Sequence, residues 1–269
     1  MGDGVNLALR GFLAATLLLS TAAHAEDRVL CPALFAGGQP PALLNPKLAQ
    51  RTHGLCFDTF AVLDSGVTRG PLWSAEHPTA SSLKAAREQP RVNLFHPEDM
   101  IPAEDRAELE DYARSGFDRG HMTPSGDMPT PEAQEQSFSL ANVVPQAPEL
   151  NRGVWERIES AVRRLARRED GIYVVTGPVF EGSDLQALHD RVLVPTSTYK
   201  AIYDPAQGAA GAYVCTNTNE PECRVVSVAQ LASLTGIDPF PAVPAGIKET
   251  AMRLPQPRPP RRHRDANGA

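Results

Sequence analysis

The chain has 269 residues, of which 42% are hydrophobic and 22% are charged, and its formal net charge is −6. This composition is typical of a globular protein and excludes the disordered, collagen-like and coiled-coil classes. The negative charge also argues against stable nucleic-acid binding through the overall field, so any attraction to phosphates has to come from local groups.

Residues 1–25 have the features of a secretory signal peptide. Arg10 precedes a short apolar run, and Ala23, His24 and Ala25 form the small-x-small pattern that predicts cleavage after Ala25. A membrane anchor is the alternative, but the run is shorter than the roughly 20 residues that span a bilayer. We therefore expect an exported protein, periplasmic or secreted, with no stable membrane association.

Four cysteines follow this leader, and an exported chain meets an oxidising environment in which thiols pair. Four cysteines allow three pairings, of which proximity along the chain favours Cys31–Cys56 and Cys215–Cys223. A zinc site is the alternative, but the chain has no CxxC spacing and no nearby pair of histidines to support it.

The predicted elements alternate between strands and helices, which indicates an α+β fold with a mainly antiparallel sheet. Hydrophobic periodicity, turn residues and helix-forming residues assign them as follows. In chain order they are an extended Pro- and Gly-rich segment at 26–55, a strand and turn at 56–73, a short helix at 103–114, a long helix at 149–168, a buried strand at 172–176, a bent strand pair at 192–195 and 199–203, a continuation of that sheet at 212–214, and a helix at 226–234 that Gly236 stops.

We expect a single domain over residues 26–251, with the N-terminal segment held by a disulfide. Residues 252–269 are rich in proline and arginine and have no apolar period, so they predict a disordered basic tail. This tail is a local source of positive charge on an otherwise acidic chain. The sequence leaves open whether the chain forms a homodimer.

Residues 118–121, Asp-Arg-Gly-His, carry the first candidate chemistry. In a strand, Arg119 and His121 point to the same face, and Gly120 between them leaves room for a substrate backbone. A neutral imidazole accepts a proton near neutral pH, and a guanidinium binds a phosphate through two hydrogen bonds. The pair therefore suits phosphodiester hydrolysis, and the alternative is a surface or structural pair without a catalytic role.

The long helix supplies a second group. Asn151 lies in its first turn, and Trp155 and Glu159 follow at i+4 and i+8 on nearly the same face, with Glu159 about 12 Å further along the axis. An amide oxygen with waters is a legitimate ligand set for Mg²⁺. Alternatively, Asn151 caps the helix, Glu159 pairs with Arg163, and Trp155 belongs to the core.

Arginines are frequent on the same helix. Because they alternate with glutamates, they predict a solvated charged face rather than a binding surface. They are Arg152, Arg157, Arg163, Arg164, Arg167 and Arg168.

An ordered series of motifs resembles the DNA/RNA non-specific endonuclease family, which includes endonuclease G-like enzymes and secreted bacterial nucleases with a ββα-metal finger. The likeness extends from about residue 57 to about residue 248. The series consists of Asp111-Tyr112, Ser115-Gly116-Phe117, Asp118-Arg119-Gly120-His121, Asn142-Val143-Val144-Pro145-Gln146, Asn151 with Trp155 and Glu159, Val175-Thr176-Gly177-Pro178-Val179-Phe180, Val194-Pro195 with Tyr199-Lys200, and Leu234-Thr235-Gly236-Ile237.

The resemblance implies roles for particular residues. His121 corresponds to the general base and Asn151 to the single direct protein ligand of Mg²⁺, with Mn²⁺ as an alternative cofactor. Glu159 supports the water shell of the metal, and Arg119 contacts the phosphate. Asn142 helps to build the site.

Arg91 resembles the second phosphate arginine of the family, although the alignment around it is loose. The chain departs from the family pattern at residues 123–126, Thr-Pro-Ser-Gly, where alanine-rich residues commonly follow the histidine, and in its Pro/Arg tail. Neither departure touches a catalytic position, so they bear on substrate preference more than on activity.

The expected function is Mg²⁺-dependent hydrolysis of phosphodiester bonds in DNA and RNA with little sequence preference, giving 5′-phosphate and 3′-hydroxyl ends. Two other functions stay open. One is a catalytically silent module that binds nucleic acid, and the other is a phosphodiesterase for small nucleotides or another phosphorylated substrate. A cleavage assay on long and short substrates in the presence of Mg²⁺ separates the three.

Overall fold

The computed structural model describes residues 1–2 and 31–256, so the predicted leader and the tail beyond residue 256 lie outside the described residues. Within residues 31–256 the chain forms strands and helices in alternation. The strands are β1 (Ala42–Leu43), β2 (Thr52–Cys56), β3 (Phe60–Ser65), β4 (Gly70–Glu76), β5 (Asp118–His121), β6 (Val143–Gln146), β7 (Tyr173–Val179), β8 (Ala187–Leu188), β9 (Val192–Leu193), β10 (Ser197–Asp204), β11 (Ala209–Thr216), β12 (Cys223–Val226) and β13 (Ile237–Asp238). The helices are α1 (Ala80–Ala86), α2 (Leu109–Tyr112), α3 (Pro131–Ser137), α4 (Glu156–Arg168), α5 (Val228–Thr235) and α6 (Ala245–Lys248).

Seven strands form the main sheet in the order β12-β11-β10-β7-β4-β3-β2. Every paired strand in this sheet runs antiparallel to its neighbours, and the ribbons β5–β6, β8–β9 and β1–β13 are antiparallel as well. The predicted α+β class with a mainly antiparallel sheet is therefore confirmed.

The core lies on both faces of this sheet because successive residues of a strand point to opposite sides. On one face, Ile158 and Leu165 of α4 pack against Val174 and Ile202. On the other face, Leu231 of α5 belongs to a second cluster that surrounds the central strands. The sheet thus separates a layer containing α4 from a layer containing α5.

Both predicted disulfides, Cys31–Cys56 and Cys215–Cys223, are present. The second joins β11 to β12 at the edge of the sheet, and the first ties the N-terminal segment to β2. Such crosslinks are typical of proteins that fold in an oxidising compartment. None of the helices in residues 31–256 is long and apolar enough to cross a bilayer.

The long helix has the predicted C-terminal end but an irregular start. Its first six residues, Leu150–Trp155, form a π-helical turn, and Gly153 departs from helical geometry with φ −107° and ψ −110°. The regular helix α4 follows from Glu156 to Arg168. π-Helical turns are rare and occur frequently at functional sites.

The short helix predicted at 103–114 is mostly wrong, because only Leu109–Tyr112 is helical. The side chain of Asp105 accepts hydrogen bonds from Arg51 and lies 2.7 Å from His53 Nε2. These long-range ion pairs hold the residues before Leu109 in a turn and override their local helix propensity.

The bent strand pair predicted at 192–195 and 199–203 is also wrong in its pairing. β9 pairs with β8 in a separate ribbon, whereas β10 pairs with β7 and β11 in the main sheet. The other predicted elements are found in place. The strand at 172–176 lies within β7, residues 212–214 lie within β11, and α5 is stopped by Gly236, whose φ of 72° is left-handed.

The two ends of the described chain are more ordered than their composition indicates. The Pro- and Gly-rich composition of residues 26–55 predicts an extended segment. From residue 31 onward, however, this segment contains 3₁₀ turns together with β1 and β2. The predicted tail begins too early at residue 252. Met252 donates its backbone N–H to Ala210, and Leu254 is buried, so these residues pack against β11.

Candidate active site

One polar cavity of about 420 Å³ collects five of the six predicted site residues. It lies between the β5–β6 ribbon and the start of the long helix. The predicted residues that line it are Arg91, Arg119, His121, Asn151 and Glu159, and they are joined there by Pro124, Ser125, Gly126, Arg152, Glu156 and Arg163. The sixth predicted residue, Asn142, is fully buried behind this lining.

β5 brings Arg119 and His121 to the same face, as the strand period predicts. The prediction that Gly120 leaves room for a substrate backbone is wrong, because the side of the strand on which its Cβ atom would lie does not open toward the cavity. A Cβ atom on Gly120 would lie 2.3 Å from Oε1 of Gln146, a buried side chain of β6. The glycine is therefore required by close packing within the β5–β6 ribbon.

The ring of His121 packs against two aromatic side chains. Its ring centroid lies 5.1 Å from that of Phe95 and 4.9 Å from that of Phe138, the second contact being edge to face. Its Nε2 atom is buried and has no hydrogen-bond partner within the described part of the chain. Burial, with a smaller effect of the nearby Arg91 charge, lowers the pKa of His121 to about 3. The imidazole is thus neutral at physiological pH, which is the protonation state that a general base requires.

The same aromatic side chains hold the two predicted phosphate arginines. The guanidinium carbon of Arg119 lies 4.5 Å from the ring centroid of Phe95, and that of Arg91 lies 5.8 Å from the ring centroid of Phe138. Cation–π contacts restrain the guanidinium groups while leaving their N–H donors available for a phosphate. Arg91 and Arg119 therefore each pack on an aromatic ring that also contacts His121.

Asn151 does not cap the helix. It lies inside the π-helical turn, and its Nδ2 donates to Oδ2 of Asp118 at 2.9 Å. Arg152 also donates to Asp118, at 2.8 Å and 2.5 Å. Burial raises the pKa of Asp118, but the hydrogen bonds from Arg152 and Asn151 outweigh this effect, so the net pKa lies below its ordinary value. Asp118 is therefore an ionised acceptor that fixes which end of the Asn151 amide faces the cavity.

This arrangement fits a divalent cation held by few protein atoms. Because Nδ2 of Asn151 is committed to Asp118, the amide oxygen is the end that remains for a ligand, and it lies in a cavity roomy enough for water. Mg²⁺ keeps much of its hydration shell and binds to oxygen ligands. Within the described residues there is no cluster of three or more His, Cys, Asp or Glu side chains able to hold a metal. The donor set thus suits a hydrated ion and not an enclosed metal cage.

Glu159 lines the cavity and does not form the salt bridge to Arg163 that was the alternative interpretation of this residue. Arg163 donates instead to Asp127 at 2.8 Å, and its side chain is largely buried, so it is not part of a solvated face. Burial raises the pKa of Glu159 to about 7, against the lowering effects of Lys200 and Arg163. A positive charge in the cavity would favour the ionised form of this carboxyl.

Asn142 supports the site from behind. Its Oδ1 accepts from Ser74 at 2.9 Å and from the backbone N–H of Thr123 at 3.0 Å. Its Nδ2 donates to the carbonyl groups of Thr123 and Ser137. The side chain therefore bonds to the backbone two residues beyond His121 and does not itself reach the cavity.

Sequence reasoning missed three polar residues of this region. Asp118 was noticed only as part of a motif, and Lys200 and Asp127 were not assigned a role. Lys200 and Asp127 are buried and lie in ion pairs or hydrogen bonds beneath the cavity. The signals available for Lys200 were its place in the motif Tyr199-Lys200 and its position between the hydrophobic residues Tyr199 and Ala201 of a strand.

Comparison with known proteins identifies the family of the chain. Residues 40–246 match the family model described as DNA/RNA non-specific endonuclease. The chain belongs to this family. The mitochondrial nuclease EXOG of Danio rerio is 35% identical to this chain over 65% of this chain and 57% of that protein. A nuclease of the cyanobacterium Nostoc sp. is 31% identical over 75% of this chain and 78% of that protein.

A solved structure shows the same fold. The chain matches one in the crystal structure of the EndoG/EndoGI complex, titled as a mechanism of EndoG inhibition, with a TM-score of 0.59 and 26% identity over 69% of this chain and 84% of that one. The predicted family and its ββα-metal nuclease fold are thus confirmed. The chain spans about three fifths of the length of several curated relatives, including EXOG of Danio rerio and endonuclease G of Bos taurus.

Proposed function

We propose that this protein is an exported, divalent-metal-dependent endonuclease that hydrolyses phosphodiester bonds of DNA and RNA. The observation that carries the proposal is the shared cavity, which a neutral His121 lines together with Arg91, Arg119 and Asn151. A base, paired phosphate-binding cations and an oxygen ligand are the groups that phosphodiester hydrolysis needs.

The roles of the residues follow from their positions. Arg119 and Arg91 bind the non-bridging oxygens of the scissile phosphate and hold it beside the imidazole. His121 accepts a proton from a water molecule as the water oxygen attacks phosphorus in line. The bond from phosphorus to the 3′ oxygen breaks, and that oxygen leaves as a 3′-hydroxyl after taking a proton from solvent. The phosphate stays on the 5′ end.

Asn151 would hold the cation through its amide oxygen, with Asp118 fixing the amide and Glu159 accepting hydrogen bonds from waters of the cavity. When bound, a divalent ion supplies positive charge that stabilises the transition state and the leaving oxygen. Mg²⁺ is the proposed ion and Mn²⁺ the alternative, because both accept oxygen ligands.

Low sequence preference follows from the same lining. Four arginines, Arg91, Arg119, Arg152 and Arg163, line the cavity, and their guanidinium groups are suited to bind the phosphates of a nucleic acid. Phosphate contacts position a nucleic acid without reading its sequence. The acidic chain also lacks a strong overall attraction to the polyanion, so we expect affinity that is modest and sensitive to salt.

Export is supported by the two disulfides and by the leader-like residues 1–25. We expect the mature protein to begin at Glu26 after secretion from a bacterial host. Mass spectrometry of the secreted protein measures this directly. A mature chain that retains residues 1–25 would contradict the proposed leader.

The decisive assay measures cleavage of supercoiled plasmid and of a long RNA with Mg²⁺, with Mn²⁺ and with EDTA. We expect cleavage of both substrates with metal and none in EDTA. His121→Ala and Asn151→Ala should lower kcat by about 10²-fold or more while circular dichroism stays unchanged. His189→Ala and Asn219→Ala are matched controls, because both residues are exposed and lie outside the cavity.

Other outcomes would identify the alternatives. Full activity in EDTA or in His121→Ala would overturn the mechanism. Retention of DNA on a gel without cleavage would instead identify a silent binding module. Faster hydrolysis of a dinucleotide ester than of long DNA would identify a phosphodiesterase for small nucleotides.

A further inference from the structure

Three polar residues form a row across the central strands of the main sheet. In the strand register, Ser74 of β4 lies beside Thr176 of β7, which lies beside Lys200 of β10. Among their neighbours on this face, Val174 and Ile202 are buried apolar residues that pack against α4, whereas Glu76 of β4 and Thr198 of β10 are buried polar residues. The row is therefore the centre of a buried polar region of the sheet, and it contacts the two residues that follow His121 in the chain.

Lys200 is 1% exposed, and its ammonium group has polar and aromatic partners. Its Nζ donates to Oγ1 of Thr176 at 2.6 Å and to the carbonyl oxygen of Met122 at 3.2 Å. It also lies 5.5 Å from the ring centroid of Trp155, in the π-helical turn that contains Asn151. One ammonium group therefore contacts the sheet, the residue after His121 and the start of the long helix.

Ser74 makes the second connection. Its side chain is fully buried, and its Oγ lies 2.7 Å from Oγ1 of Thr123 and donates to Oδ1 of Asn142 at 2.9 Å. The sheet thus bonds to both residues that follow His121, to Met122 through its backbone and to Thr123 through its side chain.

The backbone of this dipeptide is fully bonded. The N–H of Met122 donates to the backbone carbonyl of Asn142, and both backbone groups of Thr123 bond to the Asn142 side chain. The remaining group, the Met122 carbonyl, accepts from Lys200. Of these four backbone groups, this carbonyl is the one that bonds to the main sheet.

A buried ammonium is costly and is seldom required for stability, because an apolar side chain of similar volume often serves as well. The charge of Lys200 opposes the rise in pKa of the carboxyls of the buried Glu76 and of Glu159, and its hydrogen bonds to Thr176 and Met122 give it a second role, because they connect the sheet to the site. Small displacements of a catalytic group are expensive, since a misplacement of about 1 Å lowers rates by about 10²-fold.

We propose that Lys200 and Ser74 are positioning residues that hold the Met122–Thr123 dipeptide on the sheet and so fix the orientation of His121 in the cavity. The proposal rests on the proposed function, in which His121 is the base. It predicts that loss of either contact impairs the chemical step and leaves substrate binding by the arginines intact.

The first test measures kcat and KM on a defined oligonucleotide with Mg²⁺ for Lys200→Met, Ser74→Ala and Tyr199→Phe. Lys200→Met keeps the length of the side chain and removes its donors, so we expect kcat to fall by about 10- to 100-fold with KM within about twofold. Ser74→Ala should lower kcat in the same way but less. Tyr199→Phe is the control, because Tyr199 is buried next to Lys200 on the opposite face and its hydroxyl has no partner in the described structure.

The second test needs no metal and no substrate. Nuclear magnetic resonance of the metal-free full protein reports the titration of the His121 ring. Its low pKa depends on its buried position, so displacement in Lys200→Met or Ser74→Ala should raise the pKa toward its ordinary value, whereas Tyr199→Phe should leave it unchanged.

An unchanged kcat and an unchanged His121 titration in both variants would overturn the proposal, as would a rise in KM without a fall in kcat. If Lys200→Met does not fold, Ser74→Ala decides alone, because it removes only one hydroxyl. If the wild-type protein cleaves no nucleic acid, the proposed function fails, and the titration of the metal-free protein still tests the positioning.

Discussion

The two faces of the main sheet differ in chemistry although the same strands build them. The face beneath the β5–β6 ribbon carries the buried polar residues Ser74, Thr176 and Lys200. The opposite face carries Trp73 and Tyr199 in an apolar cluster that α5 covers. Because neighbouring residues of a strand point to opposite sides, the chain can specialise one face for the site and the other for stability.

This difference predicts that substitutions on the two faces have separable effects. Changes on the apolar face should lower the free energy of unfolding and leave kcat of the folded enzyme intact. Changes on the polar face should alter kcat or metal affinity out of proportion to their effect on stability. The predictions below test this separation, from the largest expected effect to the smallest.

Trp73→Ala should have the largest effect on stability. Trp73 is 1% exposed and packs edge to face against Phe35 with ring centroids 6.0 Å apart. Removing a buried tryptophan should cost about 3–5 kcal/mol in the free energy of unfolding. Urea denaturation measures this loss, and kcat per folded molecule should stay within about twofold of wild type. A large fall in kcat at temperatures where the variant is folded would break the separation.

Asn142→Asp should affect both stability and activity. The substitution keeps the shape and the acceptor oxygen but replaces the Nδ2 donor with an oxygen that faces the carbonyl groups of Thr123 and Ser137. We expect a loss of about 2–3 kcal/mol from the two broken hydrogen bonds and a fall in kcat. Denaturation and steady-state kinetics measure the two effects, with Asn219→Asp at an exposed position outside the cavity as the control. A stable variant with normal kcat would contradict the role of Asn142 as a support.

Asp118→Asn should weaken metal binding. The neutral amide no longer fixes the Asn151 side chain as a charged acceptor, and loss of such outer partners lowers metal affinity by about 10- to 100-fold. Calorimetric titration with Mn²⁺ measures the Kd without any substrate. Asp99→Asn is the matched control, because Asp99 is exposed and pairs only at the surface with Arg106. Equal Mn²⁺ affinities of the Asp118 variant and wild type would exclude this role.

The smallest effect concerns pH and the metal-free protein. The pKa of His121 is about 3 in the folded state and near its ordinary value of 6.5 in the unfolded state. Between these values the unfolded chain binds the proton, so the contribution of His121 to stability is complete above pH 6.5 and falls as the pH is lowered toward 3. The difference in unfolding free energy between wild type and His121→Gln should therefore fall by about 1 kcal/mol per pH unit from pH 6 to pH 4. A difference independent of pH would show that His121 titrates normally.

The sequence predicted those features that local patterns encode. The disulfides follow from proximity along the chain, and α5 with its stop at Gly236 follows from periodicity and from the need for a left-handed residue. The cavity residues were found because the ordered motifs carry the likeness to the family. Each of these signals involves residues that are near one another in the chain or fixed in a motif.

The features that were missed depend on contacts across the chain. Asp105 binds Arg51 and His53 and so prevents the predicted helix, and neither partner is visible from the local helix propensity. Lys200 is buried because α4 covers that face of the sheet, whereas strand alternation alone would place a lysine in solvent. Gly153 interrupts the helix without breaking its hydrophobic pattern, so the π-helical turn around Asn151 could not be predicted.

The most direct test of the account is chemical rescue of the proposed base. His121→Gly removes the imidazole and leaves the arginines, Asn151 and the support by Asn142 in place. With Mg²⁺, we predict that free imidazole restores cleavage of DNA in proportion to its neutral fraction, and that it does not rescue Asn151→Ala. Cleavage by His121→Gly at the wild-type rate without imidazole would contradict the assignment of His121 as the base.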